Sequence, residues 1–477
     1  TEATPVKKRT FLSILAAALV SGTAADAQTT SQTNPADKKD EVVTLSPFEV
    51  ATSTKGYFSA NTMSGTRFNT KLEDLASSIS VVTKEQIDRS PYPGGHQLDD
   101  LLRSVPGVQP ATLSSRYNHP TAQSVTLNGL GARRTLVLLD GVPLNDGFGG
   151  WVNWGLIPND IARVEIVPGG ASNLYGAWAM GGVIHVITST PAGGSGFTVD
   201  SQAGTLDTYQ QAIRARYGTD HVRLSLGYRW FHTNGFIPVP SYQRGPVDRT
   251  DDSRHQLFNG NLAWIPLSTT TINLSGSLFR EDRTFGTTLS QASRTIGNVA
   301  LGLRSDQGGA GVWEGKLFGQ WQTFQNLTSQ ITPSSLLRLA EFRDRVQIIP
   351  SNDFGGSLQW TGSLLDTDRL VLGTDARTII AQSSDDLYSA SAPTGTRSGV
   401  ASSANARTIA SARALPGSPR WRQPSARAER NTTEMPPMAW RMPAMPDSRR
   451  PMPRASPPRA NAQPWAMSPA AAHTEKP

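Results

Sequence analysis

The sequence contains no cysteine, which removes disulfide frameworks, thiolate metal sites, cysteine nucleophiles and the lipid-bearing Cys of a lipoprotein. It has no run of about 18 apolar residues either, so a helical membrane span is excluded. A transmembrane barrel survives that test, because its strands alternate and stay quiet in hydropathy. Enzyme signatures are missing: there is no G-x-S-x-G, no H-E-x-x-H and no G-x-x-x-x-G-K-[ST], and Gly129-Leu130-Gly131 lacks the third glycine of a dinucleotide site. His96, His119, His185, His221, His232 and His255 show no metal-ligand spacing. No catalytic, cofactor or metal residue is therefore assigned. Apolar residues make up only 37%, and the 43 Gly and 33 Pro suit many short strands and turns rather than a helical protein.

The net charge of +7 points to nucleic acid until it is located. Residues 401–477 hold eleven Arg and one Lys against Glu429, Glu434, Asp447 and Glu475, so that stretch carries the excess and the preceding 400 residues are close to neutral. No nucleic-acid partner is implied.

Near the start, Lys7-Lys8-Arg9 precede an apolar stretch from Phe11 to Val20 and then Ala25-Asp26-Ala27. A basic flank, a short apolar core and an A-x-A exit predict a signal peptide over 1–27, cleaved before Gln28. Residues 28–54 form a polar tether that contains one β-prone run, Val42-Val43-Thr44-Leu45 continuing to Val50, with Pro47 limiting its length. An isolated strand on a tether suits capture by a partner's sheet edge through main-chain hydrogen bonds. The alternative is the first strand of the following domain.

Residues 55–190 read as a small α+β domain. Ile79-Ser80-Val81-Val82 predicts a strand, Thr83 with Gln86 a capping-box helix start, and Leu98, Leu101, Leu102 and Val105 a helix closed by Pro106-Gly107. Leu136 to Leu139 and Val164 to Val167 predict buried strands, and Asp140-Gly141 a tight turn. From about 194 to 392 the pattern becomes amphipathic strands: 209–217, 221–230, 256–264, 271–279, 312–324, 355–365 and 369–379. Short links such as Gly218-Thr219-Asp220 alternate with long ones such as His232 to Ser253, as in an outer-membrane barrel. Trp230, Phe231, Trp264, Trp313, Trp321 and Trp360 are expected in its aromatic girdles.

Four ordered motifs carry a resemblance: Ser78 to Thr83, Leu98-Asp99-Asp100-Leu101-Leu102-Arg103-Ser104-Val105-Pro106-Gly107-Val108, Arg134 to Leu144 around Leu139-Asp140-Gly141, and Leu174-Tyr175-Gly176 through Gly181-Gly182 to Thr188. Over roughly residues 41–190 the chain resembles TonB-dependent outer-membrane receptors. The resemblance implies a membrane β-barrel, here partial, with an N-terminal α+β plug domain in the lumen. It implies the periplasmic energy-coupling protein TonB with its inner-membrane complex as partner, outer-membrane lipid around the barrel, and a small extracellular ligand such as an iron chelate, corrinoid, oligosaccharide or peptide. Val42, Val43, Thr44 and Leu45 stand where the family has its TonB box. Asp140, Gly141, Tyr175, Gly176, Gly181 and Gly182 are expected to shape the plug, and Arg133, Arg134, Arg163 and Glu165 to face charges of the barrel wall. Asn128-Gly129 and Pro168-Gly169-Gly170 depart from the family pattern, so contacts at those points are expected to differ. A porin or adhesive barrel without energy coupling is the rival, but it predicts neither a plug nor the Val42 to Val50 strand.

Residues 401–477 contain fourteen of the 33 Pro and six of the eight Met. Proline at that density cannot serve central strands. A disordered tail is expected over 393–477. About nine or ten strands precede it where the family's barrel has about 22, so the tail is read as out-of-frame sequence.

Overall fold

The computed structural model describes residues 59–416 apart from 68–69, 76, 91–97, 110–118, 120–124, 131, 177, 191–193, 332–336, 366–367 and 390–395. The expected signal peptide, the tether with Val42 to Val50, and the tail beyond Pro416 lie outside the described residues.

The chain enters through a two-residue pair, β1 (Asn61–Thr62) with β2 (Thr70–Lys71), and then builds the plug sheet. β3 (Ser80–Thr83) runs directly into α1 (Lys84–Arg89), where the expected capping box is present. The Thr83 N–H donates to Gln86 Oε1 at 2.8 Å and the Gln86 N–H to Thr83 Oγ1. α2 (Leu98–Leu102) buries Leu98 and Leu102 and ends in turns that reach Gly107. β4 (Val108–Gln109) pairs with β5 (Thr126–Leu127). Next come β6 (Thr135–Leu139), β7 (Val142–Pro143), β8 (Ile161–Pro168), α3 (Ser172–Tyr175) and β9 (Gly182–Thr188).

These strands order as β3-β8-β9-β6-β7, with β6 and β9 parallel and the other pairs antiparallel. Period two then sorts the side chains. One face presents Val82, Val137, Val164, Ile166, Ile184 and Val186, which pack with Ile87, Leu98 and Leu102 of the helices. The opposite face presents Leu136, Leu138, Val167 and Val183, packed by Tyr175 and Trp178, and it also carries Arg163, Glu165 and His185.

The second sheet is a ten-stranded antiparallel meander: β10 (Gly196–Gly204), β11 (Thr208–Gly218), β12 (Val222–Thr233), β13 (Ser253–Leu267), β14 (Thr270–Thr284), β15 (Gln291–Asp306), β16 (Val312–Ile331), β17 (Glu341–Leu365), β18 (Asp368–Ser389) and β19 (Thr396–Pro416). Its polarity is inverted relative to a soluble protein. Leu226, Phe258, Leu274, Leu278, Val299, Leu301, Leu317, Phe354 and Leu358 are exposed on one face, while Arg229, Glu281, Arg294, Gln322 and Asp353 are buried on the other. An apolar outside with a polar lumen is the pattern of an outer-membrane barrel wall. Among the described residues no helix is long and apolar enough to cross a membrane.

Three strands escape the simple alternation. β10 has only Phe197 and Val199 as large apolar residues on its outward face, followed there by Ser201 and Ala203, while β15 carries Ser293, Thr295 and Gly297 outward and turns Arg294 inward, which hides its apolar period. β19 extends the sheet into the stretch expected to be tail. Thr396 to Leu415 contains no proline, so every residue there keeps an N–H for the ladder with β18, and the proline-dense sequence starts only at Pro416. Pro350 does lie inside β17, but the β17–β18 register skips from Ile348 to Ser351 around it. Of the girdle candidates, Trp264, Trp313 and Trp321 face outward, whereas Phe231 is fully buried on the lumen side and stacks on His255 at 4.5 Å. Its neighbour Trp230 holds the outward parity, so Phe231 could not share it.

Candidate functional site

The site is the surface where plug meets wall, and the wall strands supply most of its polar groups. The β6–β7 hairpin turns at Asp140 (φ 49) and Gly141 (φ 80), the two positive values of a type I′ turn, with Leu139 paired to Val142. The Asp140 carboxylate accepts hydrogen bonds from the Thr188 N–H at 2.8 Å and the Thr188 hydroxyl at 2.7 Å, tying the turn to the end of β9. Its carbonyl accepts from Lys316 Nζ of β16. Burial raises the Asp140 pKa, against the lowering effect of the Thr188 bonds and Lys316.

Further contacts follow along the plug. Asp146 receives the N–H groups of Phe148 at 2.9 Å and Gly149 at 2.5 Å, and Gln322 of β16 reaches its other oxygen. Burial pushes this carboxyl up as well, opposed by the Gly149 bond and by Arg294. Arg229 of β12 donates to the Ile157 carbonyl at 2.8 Å, to Asn159 Oδ1 at 2.7 Å and to the Gly155 carbonyl. Arg214 of β11 pairs with Asp160 at 2.5 Å, and Asn153 donates to Glu281 of β14 at 3.4 Å. Arg377 of β18 clasps Asp353 with Nε at 2.8 Å, donates to the Asn145 carbonyl at 3.4 Å, and lies over the Trp178 ring. Asp375, two residues away, pairs with Arg67 at 3.2 Å. At the loop end, Phe148 and Trp151 pack with Phe285 and Phe324, and His119 meets Asn326 at 3.2 Å and the Phe285 ring at 4.4 Å. The His119 pKa is lowered to about 4, chiefly by burial.

Toward the opposite end, between the β6–β7 hairpin and wall strands β12 to β18, lies a cavity of about 260 Å³. Asn259, Gly260, Asn273, Ser275, Gly276, Asn298, Gly302 and Gly315 line its wall side.

Arg163 and Glu165 do not face the wall as expected. Arg163 Nε donates to Glu165 Oε1 at 2.8 Å, both side chains are buried inside the plug, and every hydrogen bond of Glu165 stays within it. The cause is their parity on β8, which directs them under the incoming segment 59–67 rather than toward the wall. Glu165 Oε2 accepts from Thr62 Oγ1 at 2.7 Å and from the Ser64 hydroxyl and N–H at 2.5 and 2.9 Å, and the Met63 N–H reaches both oxygens. The Ser64 hydroxyl also meets His185 Nδ1 at 3.0 Å. Burial works to raise the Glu165 pKa, but Arg163, His185 and the two hydroxyls outweigh it and hold the group below the usual range. Burial holds His185 at about 4, despite the opposing charge of Glu165. Arg133 and Arg134 sit exposed in a single turn of 3-10 helix, and among the described residues no hydrogen bond or ion pair joins either side chain to the wall.

Tyr175 donates to the Ser64 carbonyl at 3.0 Å and lies under Arg67. Gly176 ends α3 at φ 71. A Cβ on Gly181 would stand 3.2 Å from two carbonyl oxygens, and one on Gly182 (φ 134) only 2.3 Å from the Val167 carbonyl. The wall partners Arg214, Arg229, Lys316, Gln322, Asp353 and Arg377 were missed in sequence. Their signal is a polar residue at an inward position of an otherwise apolar-out strand.

The TonB-dependent Receptor Plug Domain family matches residues 71–183. Those residues are a TonB-dependent receptor plug. The ten-stranded sheet packs on it as the wall of a β-barrel, the architecture of the TonB-dependent barrel receptors among its structural neighbours. The chain is 37% identical over 123 residues to the vitamin B12 transporter BtuB of Vibrio vulnificus YJ016, which is 26% of this chain and 19% of that protein. It is 32% identical over 175 residues to the BtuB of V. vulnificus CMCP6, 36% of this chain and 27% of that protein. These matches span about a fifth to a quarter of the relatives' length. In fold, the pyoverdine outer-membrane receptor FpvA of Pseudomonas aeruginosa PAO1 bound to pyoverdine superposes with a TM-score of 0.61 at 15% identity, covering 78% of this chain and 59% of that one.

Proposed function

We propose that this plug and wall serve active import of a scarce extracellular ligand across the outer membrane. Ligand binds on the loop end of the plug, near Phe148, Trp151 and His119. Binding shifts the plug ensemble so that the Val42 to Val50 strand becomes available in the periplasm, where TonB adds it to a sheet edge and pulls. The observation that carries this reading is the contact set itself: Arg229, Arg214, Lys316, Gln322 and Arg377 fasten the plug to the lumen wall by polar bonds rather than by a continuous apolar core. Such bonds can be exchanged for water when the plug moves, at about 1 kcal/mol net each. A porin needs no such domain. The relatives' ligands, vitamin B12 and pyoverdine, head the candidates, followed by other iron chelates, oligosaccharides and peptides.

Uptake of radiolabelled cyanocobalamin and ferric pyoverdine, with the other classes screened beside them, tests the reading in cells that depend on this chain. Val43→Pro removes one ladder N–H and fixes φ, so it abolishes uptake while ligand binding persists. Equal uptake by wild type and Val43→Pro, at equal membrane levels, would defeat the proposal.

A further inference from the structure

The segment that joins the energy-coupling strand to the plug sheet is held in an unusual way. Residues 59–67 bring few buried apolar side chains to the plug, whose apolar clusters draw on residues from Ile79 onward. The segment is wound instead around one carboxylate. Four donors from Thr62, Met63 and Ser64 converge on Glu165, which is 0% exposed, and two of them are main-chain N–H groups. Arg163 supplies the counter-charge from the far side at 2.8 Å, Ser64 leans on His185, and Tyr175 closes over the Ser64 carbonyl. Charge-assisted hydrogen bonds of this kind are roughly twice as strong as neutral ones. They are also short-ranged, so a displacement of an ångström or two ends them together, unlike apolar burial, which is lost gradually.

We propose that Glu165 is the release catch of the plug. A pull arriving from residues 42–50 meets Thr62 to Ser64 before it meets β3 at Ser80, so the Glu165 bonds yield first, and the β3–β8 ladder is loaded only afterwards. β3 lies directly beside Glu165, with Val81 paired to it, so removal of the segment also uncovers a buried carboxylate at the strand that must yield next. Arg163 stays paired with the uncovered carboxylate, and water replaces the four lost donors. Release of the segment thereby passes the pull on to the β3–β8 ladder. This deepens the import reading above, since it names the residue at which a periplasmic pull first acts.

Single-molecule pulling on the membrane-embedded full chain tests it without TonB or ligand, so its outcome is separate from that of the uptake assay. The absence of native cysteine allows one handle, Ser53→Cys, to be attached from the periplasmic side. Wild type gives an early rupture that frees the chain from residue 59 to β3, roughly 70 Å of contour at about 3.5 Å per residue, followed by larger events from the sheet. Glu165→Gln replaces an acceptor oxygen by a donor, and the early rupture disappears while the later ones remain. Thr62→Val with Ser64→Ala leaves β8 intact and removes two of the four donors, so the early rupture survives at reduced force. An early event unchanged in either variant overturns the proposal. If Glu165→Gln abolishes the later events too, the double variant decides alone. Loss of the early event in Asp375→Asn, with Glu165 intact, would also overturn it by placing the hold at Arg67.

Discussion

Gly182 is the described plug residue where a single methyl group should do the most damage. It opens β9 between two ladders, facing Thr135 of β6 and Pro168 of β8, at φ 134. A Cβ there would meet the Val167 carbonyl oxygen at 2.3 Å, Leu127 Cδ1 at 2.6 Å and Pro168 Cα at 3.3 Å. Leu127 could move, but the Val167 and Pro168 backbone belongs to β8 and cannot shift without disturbing its ladder with β9. The dihedral alone costs an L-residue about 1–3 kcal/mol. Overpacking adds about 1–3 kcal/mol. Gly182→Ala should therefore cost about 2–6 kcal/mol, a large part of the 5–15 kcal/mol typical of a domain. Gly182→Val adds little more, because the first carbon already makes the clash. Gly169 is the control, with φ 90 but nothing within 4 Å of its Cβ, so Gly169→Ala carries only the dihedral cost. Urea titration of plug protection from protease, in membranes matched for barrel level, reads both. A Gly182→Ala midpoint equal to that of Gly169→Ala would refute the reasoning.

Three further outcomes are expected. The plug should weaken in mild acid: unfolded His185 titrates near 6.5, whereas the folded group is held at about 4. The unfolded chain thus takes up a proton that the plug refuses, and stability falls as pH drops from 6.5 toward 4, by about 3 kcal/mol in all. Glu165, with its lowered pKa, adds a loss only below about pH 4.3, and Asp140 and Asp146, raised by burial, act in the opposite sense. The His185 share is therefore read as wild type against His185→Gln, and equal pH profiles of the two would contradict the assignment. Arg229→Met strands the buried carbonyls of Gly155 and Ile157 at a cost of about 2–4 kcal/mol, measurable as plug release at lower urea while the wall stays heat-resistant. Leu278→Arg, mid-strand on the outward face and 56% exposed, should cost about 2–4 kcal/mol in a bilayer, where the same change on a water-facing surface would be neutral. Unimpaired assembly of that variant would mean the face does not meet lipid.

What the sequence disclosed follows from which signals are local. Thr83 and Gln86 lie one helical turn apart, and Asp140-Gly141 specifies its turn by its own dihedrals, so both were legible. Strands such as β12 and β14 declared themselves by alternation. β15 did not, because its lumen face must host Arg294 and its outward face uses Ser293 and Thr295. The plug–wall contacts failed for a different reason. Arg163 and Glu165 were readable as charges on a strand, but their partners, Thr62 and Ser64, lie about a hundred residues earlier, and only the sheet order β3-β8-β9 brings them under that strand. The same holds for Lys316 with Asp140 and Gln322 with Asp146, pairs fixed by where the plug seats against the wall.

The two sheets also differ in when they can form. Each wall strand pairs with its predecessor, so the meander can zip hairpin by hairpin from β10 onward as chain is delivered, and loop closure stays cheap at every step. The plug has no such order: Ser80 must wait for Ile166, and Thr135 for Gly182. Until residue 168 has crossed into the periplasm β3 has no mate, and until residue 188 has followed, the β6 edge that β9 covers stays open, the state most prone to wrong pairing. Secretion therefore imposes a timetable in which the later-made part assembles by the simpler route. A delay at β9, as any bulky residue at Gly182 would cause, leaves a wall ready to close around a plug that is still unfolded.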